Sequence, residues 1–144
     1  INYLFDVKPG FGDEYLHLQM TEEEVSAQLG VPGGSRADRM RFAGRGIQVH
    51  FDGAGKVLAI VWCNEKSPLF LGPIRPSYAQ VSGLRLGDPS VDILERIPEA
   101  EREDDFEAAT GRYTLPGLEV EHVRGEVVQI TVYPSGARPV GLGI

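Results

Sequence analysis

Residues 99–107 read Glu-Ala-Glu-Arg-Glu-Asp-Asp-Phe-Glu, six acids in nine positions and the densest charge run in the chain. Paired carboxylates can do acid–base work only where burial or a like charge keeps one of them protonated. An acidic run in water keeps ordinary carboxylate behaviour, so a solvated loop or helix face is the default reading. The functional reading is an electrostatic contact with a cationic partner. Arg36, Arg39 and Arg41 form a second, basic stretch that could grip a phosphate or carboxylate. Asp38 stands inside it, and a solvated connection is expected there.

Other reactive side chains lack companions. His17, His50 and His122 are far apart, and none has a second His or Cys two or four residues on. No metal centre or cofactor is expected from them. The single cysteine, Cys63, excludes an internal disulfide and a cysteine-based zinc site. It follows Trp62 at a strand end and reads as a semi-buried structural thiol. Residues 52–55, Asp-Gly-Ala-Gly, resemble half of a calcium loop but lack the later acids at the required spacing. There is no nucleophile elbow, phosphate loop or dinucleotide fingerprint. The chain is read as a non-enzyme.

The elements that must carry these groups are β-hairpins. Ile47, Val49 and Phe51 alternate with Gln48, His50 and Asp52, the period of a strand with one buried face. The turn at 52–55 and the β-branched run 56–62 complete a hairpin. Arg41-Phe42 and Gly46-Ile47-Gln48-Val49 recur seventy-one positions on as Arg112-Tyr113 and Gly117-Leu118-Glu119-Val120. Gly55, Val57 and Ile60 fall on Gly125, Val127 and Ile130 at an offset of seventy. The pattern predicts an internal duplication.

In chain order, 3–5 suggest a short edge strand, stopped by Pro9-Gly10. Thr21 and Glu24 have capping-box spacing, Val25 and Leu29 share a face, and Gly30 and Pro32 end a helix. Pro68, Pro73 and Pro76 mark a connection whose Leu69-Phe70-Leu71 should pack on the core. A second helix is predicted with Asp88 as N-cap and Pro89 at its first position. Val91, Ile93, Leu94 and Ile97 should be buried and Pro98 should stop it. Residues 134–144 read as an irregular tail.

The chain has 144 residues, 42% of them hydrophobic, which is enough for a core. No apolar run is long enough to insert in a membrane. A net charge of −7 makes nucleic acid a poor partner and a basic protein a good one. No leader is evident, and the lack of an initial Met leaves bacterial cytoplasm and periplasm both open.

Val25, 29–32 (Leu-Gly-Val-Pro), Phe42 and 46–60, with Val91, Tyr113 and 117–130, together resemble a known pattern. It is that of the superfamily containing the beta-lactamase inhibitor protein and the small lipoprotein of the outer-membrane assembly machine. The resemblance implies tandem modules of helix and short antiparallel sheet, with a concave sheet face that grips a partner. The inhibitor's disulfides cannot form here, and the second helix lacks a terminal Leu-Gly. No binding residue transfers by motif. In general character the chain is also similar to bacterial toxin-immunity proteins.

The expected fold is α+β, with halves 1–76 and 77–144 packed as one globular unit. Each half is a helix followed by a short antiparallel sheet ending in a hairpin. Strands are expected at 41–51, 56–62, 112–122 and 126–133. Ile47, Val49, Leu58, Ile60, Trp62, Leu118, Val120, Val128, Ile130 and Val132 should face the helices. The opposite face should be open and carry Glu119, Glu121, Gln129, Thr131 and Tyr133, with Gln48 and His50 nearby. The expected partner-binding residues are Glu101, Glu103, Asp104, Asp105, Phe106, Glu107, Glu119, Glu121, Gln129, Tyr133 and His50. The expected function is an inhibitor or immunity protein that neutralises a basic toxin or hydrolase. The alternatives are a small-ligand carrier or enzyme with a pocket lined by Tyr78, Tyr113 or His50, and a structural part of an envelope complex.

Overall fold

The computed structural model describes residues 4–36, 38–67, 78–105, 110–140 and 142. The first half runs β1 (Leu4–Asp6), α1 (Glu22–Leu29), β2 (Gly34–Arg36), β3 (Arg39–Phe42), β4 (Ile47–Phe51) and β5 (Val57–Cys63). The second runs β6 (Tyr78–Val81), β7 (Leu84–Arg85), α2 (Ile93–Arg96), β8 (Glu101–Asp105), β9 (Thr110–Leu115), β10 (Leu118–Val123) and β11 (Glu126–Val132). Eight strands form one sheet in the order β2-β3-β4-β5-β11-β10-β9-β8, every neighbour antiparallel. The other three form a small sheet, β1-β6-β7, in which β1 and β6 are parallel.

Among the described residues the protein is therefore mostly β, 47% strand and 14% helical, and the expected α+β repeat of helix plus sheet is not found. The reason lies in the helices. The capping box forms as expected: Glu24 N donates to Thr21 Oγ1 at 3.2 Å and Thr21 N donates to Glu24 Oε1 at 3.1 Å. Yet α1 has eight residues and buries only Val25 and Leu29. The second helix is a 3-10 turn, Ser90–Asp92, followed by the four residues of α2. Asp88 does not cap it; its carboxylate accepts from Arg85 N at 2.8 Å in the preceding turn. Ile93 and Ile97, four apart, are buried, whereas Val91 is 82% exposed and Leu94 is exposed. Such short helices cannot form a layer over eight strands.

Two expected strands are each a hairpin. The 41–51 stretch breaks at a 3-10 turn, Ala43–Arg45, followed by Gly46 at φ 65°. The 112–122 stretch breaks at Pro116 and Gly117, the latter at φ 83°. At Gly117 a Cβ would lie 2.4 Å from Gly10 N, so only glycine lets these two segments touch.

Alternation sends Ile47, Val49, Ile60, Trp62, Leu118, Val120, Ile130 and Val132 into one core, as expected. Trp62 is fully buried, its ring 5.6 Å from Phe5. Leu58 and Val128 do not join that core; Val57 and Val127 do. A bulge explains both shifts. Register slips between His50 and Phe51 in one hairpin, and between Glu121 and His122 in the other. Beyond each slip the inward residue of the partner strand is displaced by one.

Candidate functional site

The face turned away from that core carries the candidate residues. Register places Gln48 beside Val61, Val61 beside Thr131, and Thr131 beside Glu119. One step along, Cys63 lies beside Gln129, Gln129 beside Glu121, Glu121 beside Arg112, and Arg112 beside Glu103. Glu103, Glu119, Glu121 and Gln129 thus share a patch that crosses β8 to β11. His50 is on the same face but across the β5–β11 seam.

This face is covered, not open as expected. Glu119 and Thr131 are each 2% exposed, and Gln48, His50, Gln129 and Tyr133 are also buried. The C-terminal segment supplies part of the cover. Its described residues, 134–140 and 142, have no regular secondary structure, but Leu142 packs with Ala59 and Tyr133, and Arg138 reaches Glu119. Ser67 adds a 2.7 Å hydrogen bond to Gln129 Oε1.

Glu119 is the centre of an ion cluster. Its Oε1 accepts from the Tyr133 hydroxyl at 3.2 Å and from Arg138 Nε. Its Oε2 lies 3.6 Å from an Arg112 Nη1. Arg112 also donates to Glu103 Oε2, from Nη2 at 3.0 Å and Nε at 3.2 Å. A carboxylate this buried requires such partners, because an unpaired charge out of water is costly. The neighbours register its charge. Burial, then the Glu119 charge, pushes the Tyr133 phenol up to about 12. The same two causes, burial first, raise the Glu121 carboxyl above its usual range, with Arg112 and Arg138 pulling the other way.

Arg112 and Arg138 are the members of this cluster that sequence reasoning missed. Arg112 stood out only as the partner of Arg41 in the recurring pattern, and the register with Glu121 and Glu103 is what gives it meaning. Arg138 lies in a segment without periodicity, so no sequence signal marked it.

His50 is held in its neutral form. Its Nε2 is 2.8 Å from Gln48 Nε2. Burial, then the charge of Arg39, lowers its pKa to about 4, with Asp38 opposing. Cys63 donates to Gly46 O at 3.4 Å, and burial pushes its thiol up to about 11, which makes it a poor nucleophile.

The middle of the acidic run, Glu101–Asp105, is a strand, not a loop or helix face. Glu101–Asp105 form β8, the outermost strand of the large sheet, with Glu101 and Glu103 exposed. Asp104 and Asp105 lie on that strand; Phe106 and Glu107 fall outside the described residues, as does the apolar 69–71 stretch. Asp52 serves its turn, accepting from Ala54 N and Lys56 N. Among the described residues no group of three or more His, Cys, Asp or Glu could hold a metal ion, and no helix is long and apolar enough to cross a membrane.

Two open clefts are lined by described residues. One, of about 190 Å³, is lined by Gly34, Ser35, Arg36, Arg39 and Arg41. The other, of about 390 Å³, is lined by Lys66, Val123, Arg124 and Glu126. Tyr78, Tyr113 and His50 line neither of them. No protein-family model matches the chain, and no curated protein or solved structure is significantly similar to it.

Proposed function

We propose that the chain is a non-enzymatic protein-binding module of the inhibitor or immunity type, which meets a cationic enzyme or toxin along β8. The observation that carries this reading is the placement of the acidic run. Glu101–Asp105 end the sheet order, and among the described residues β8 pairs only with β9. Its outer edge can take an added strand from a partner. Its acids discourage pairing with a second copy and favour a basic chain. The net charge of −7 adds long-range attraction of the same sign.

Glu103 is already oriented by Arg112, and Arg112 by buried Glu119. In this reading Glu119, Gln129 and Tyr133 stiffen the acidic end of the sheet from within. Glu101, Asp104 and Asp105 make the contact.

The test is capture of a basic partner by the immobilised chain, followed by binding kinetics. Glu101→Lys with Asp104→Lys and Asp105→Lys should slow association about ten-fold at low salt and much less at high salt. An unchanged low-salt association rate removes β8 as the contact. Turnover of a small substrate by a chain that captures no protein removes the whole reading.

A further inference from the structure

We propose that the β2–β3 hairpin is a phosphate-binding site built from Arg36, Arg39 and Arg41. Register puts Arg36 directly opposite Arg39, and Arg41 two residues further along β3 on the same face. The three guanidinium-bearing side chains line the groove of about 190 Å³ with Gly34 and Ser35. Like charges placed opposite each other across two strands destabilise the pair unless something neutralises them. Among the described residues none of the three has an ion-pair partner. Arg39 Nε is buried without any hydrogen-bond partner, a donor left for a group not supplied by the fold. This concentration of positive charge stands in a chain of net charge −7, so bulk composition does not account for it.

The chemistry favours a phosphate group over a single carboxylate. Arginine forks pair bidentately with either, but three of them around one groove suit a tetrahedral group with three acceptor oxygens. The wall is open on one side: a Cβ at Gly34 would meet nothing within 4 Å. Gly34 is opposite Arg41 and so faces the same way as the arginines. The site lies at the far edge of the sheet from β8, and it does not depend on the protein-binding reading.

The experiment titrates the purified chain with inorganic phosphate and inorganic tripolyphosphate, against sodium chloride at matched ionic strength. Calorimetry and thermal unfolding give the affinity, and the His50 ring signals in NMR give the location, because His50 pairs with Arg39 across the strands. Saturable binding is expected, tighter for tripolyphosphate. Arg39→Ala and Arg41→Ala should each weaken it about ten-fold, the loss expected for a charge-assisted hydrogen bond. Gly34→Glu should abolish it by placing a tethered carboxylate in the groove, and it keeps the proposal testable if an arginine variant fails to fold. A response no larger than that to sodium chloride overturns the proposal. So does a response equal in wild type and in the folded variants.

Discussion

Gly46 and Gly117 occupy the same place in two hairpins. The Gly46 carbonyl accepts from Cys63 N at 2.8 Å, and the Gly117 carbonyl from Tyr133 N at 3.2 Å. Both hairpins carry a bulge near the far end of the pairing. Both are crossed by the segment before a helix: Val57 N donates to Met20 O, and Val127 N to Asp88 O, each at 2.8 Å. The rear faces nevertheless differ. In the first, Arg41 stands opposite Gln48, and the buried polar pair is neutral, Gln48 with His50. In the second, β9 runs two residues further before turning, and Arg112 stands opposite Glu121 within reach of Glu119. The two hairpins thus hold a part-exposed Arg112 paired with acids at one end and arginines left over a groove at the other. The residue types across the strands decide which: Glu119 and Glu121 stand where the other hairpin has Gln48 and His50.

The largest expected effect breaks the ionic side. Arg112→Ala with Arg138→Ala leaves Glu119, 2% exposed, with only the Tyr133 hydroxyl. Removing the cations from a buried carboxylate should cost about 3 kcal/mol at pH 7, measured by urea unfolding with Trp62 fluorescence. Arg39→Ala with Arg41→Ala, the counterpart at the other end, should change stability by less than about 0.5 kcal/mol or raise it, since it removes like-charge repulsion. Equal losses from the two double variants would dissolve the contrast.

A smaller effect tests the neutral side. His50 has a folded pKa lowered to about 4 from an ordinary 6.5. The unfolded chain therefore binds the proton first. Its contribution is fully present above pH 6.5 and is lost as pH falls from there towards 4. The loss should be on the order of 2 kcal/mol across that window. His50→Gln should flatten this part of the stability profile. A profile of unchanged slope would show that the ring is not held neutral by its site.

Some of this could be read in the sequence. Alternation at 47–51 and 118–120 fixed which side chains enter the core, because period two leaves no choice of face. Thr21 and Glu24 announced their helix start. The α+β reading failed because capping signals mark where a helix begins and say nothing of its length or of what it covers. β8 was missed because Glu and Asp disfavour strands, and pairing with β9 overrides that preference. The open rear face was the costlier error. Glu119 and Gln129 alternate with apolar residues as solvent-facing positions do, yet Arg138 returns over Glu119 and Ser67 over Gln129. A covering segment with no periodicity leaves no trace at the positions it covers.

The smallest effect separates charge from hydrogen bonding within the ionic cluster. Tyr133→Phe removes a donor to Glu119 Oε1 and leaves Arg138 on the same oxygen. The carboxylate keeps both cations, so no charge is stranded. The expected cost is about 1 kcal/mol, that of one hydrogen bond whose acceptor stays satisfied. Absorbance at 295 nm checks the assignment independently. The wild type should hold one tyrosine protonated until about pH 12, where burial and then the Glu119 charge place it, and the variant should lose that late step. A loss as large as that of the double arginine variant would mean that the hydroxyl, and not the two cations, keeps Glu119 inside. The ionic end of the sheet would then differ from the neutral end only in its hydrogen bonds.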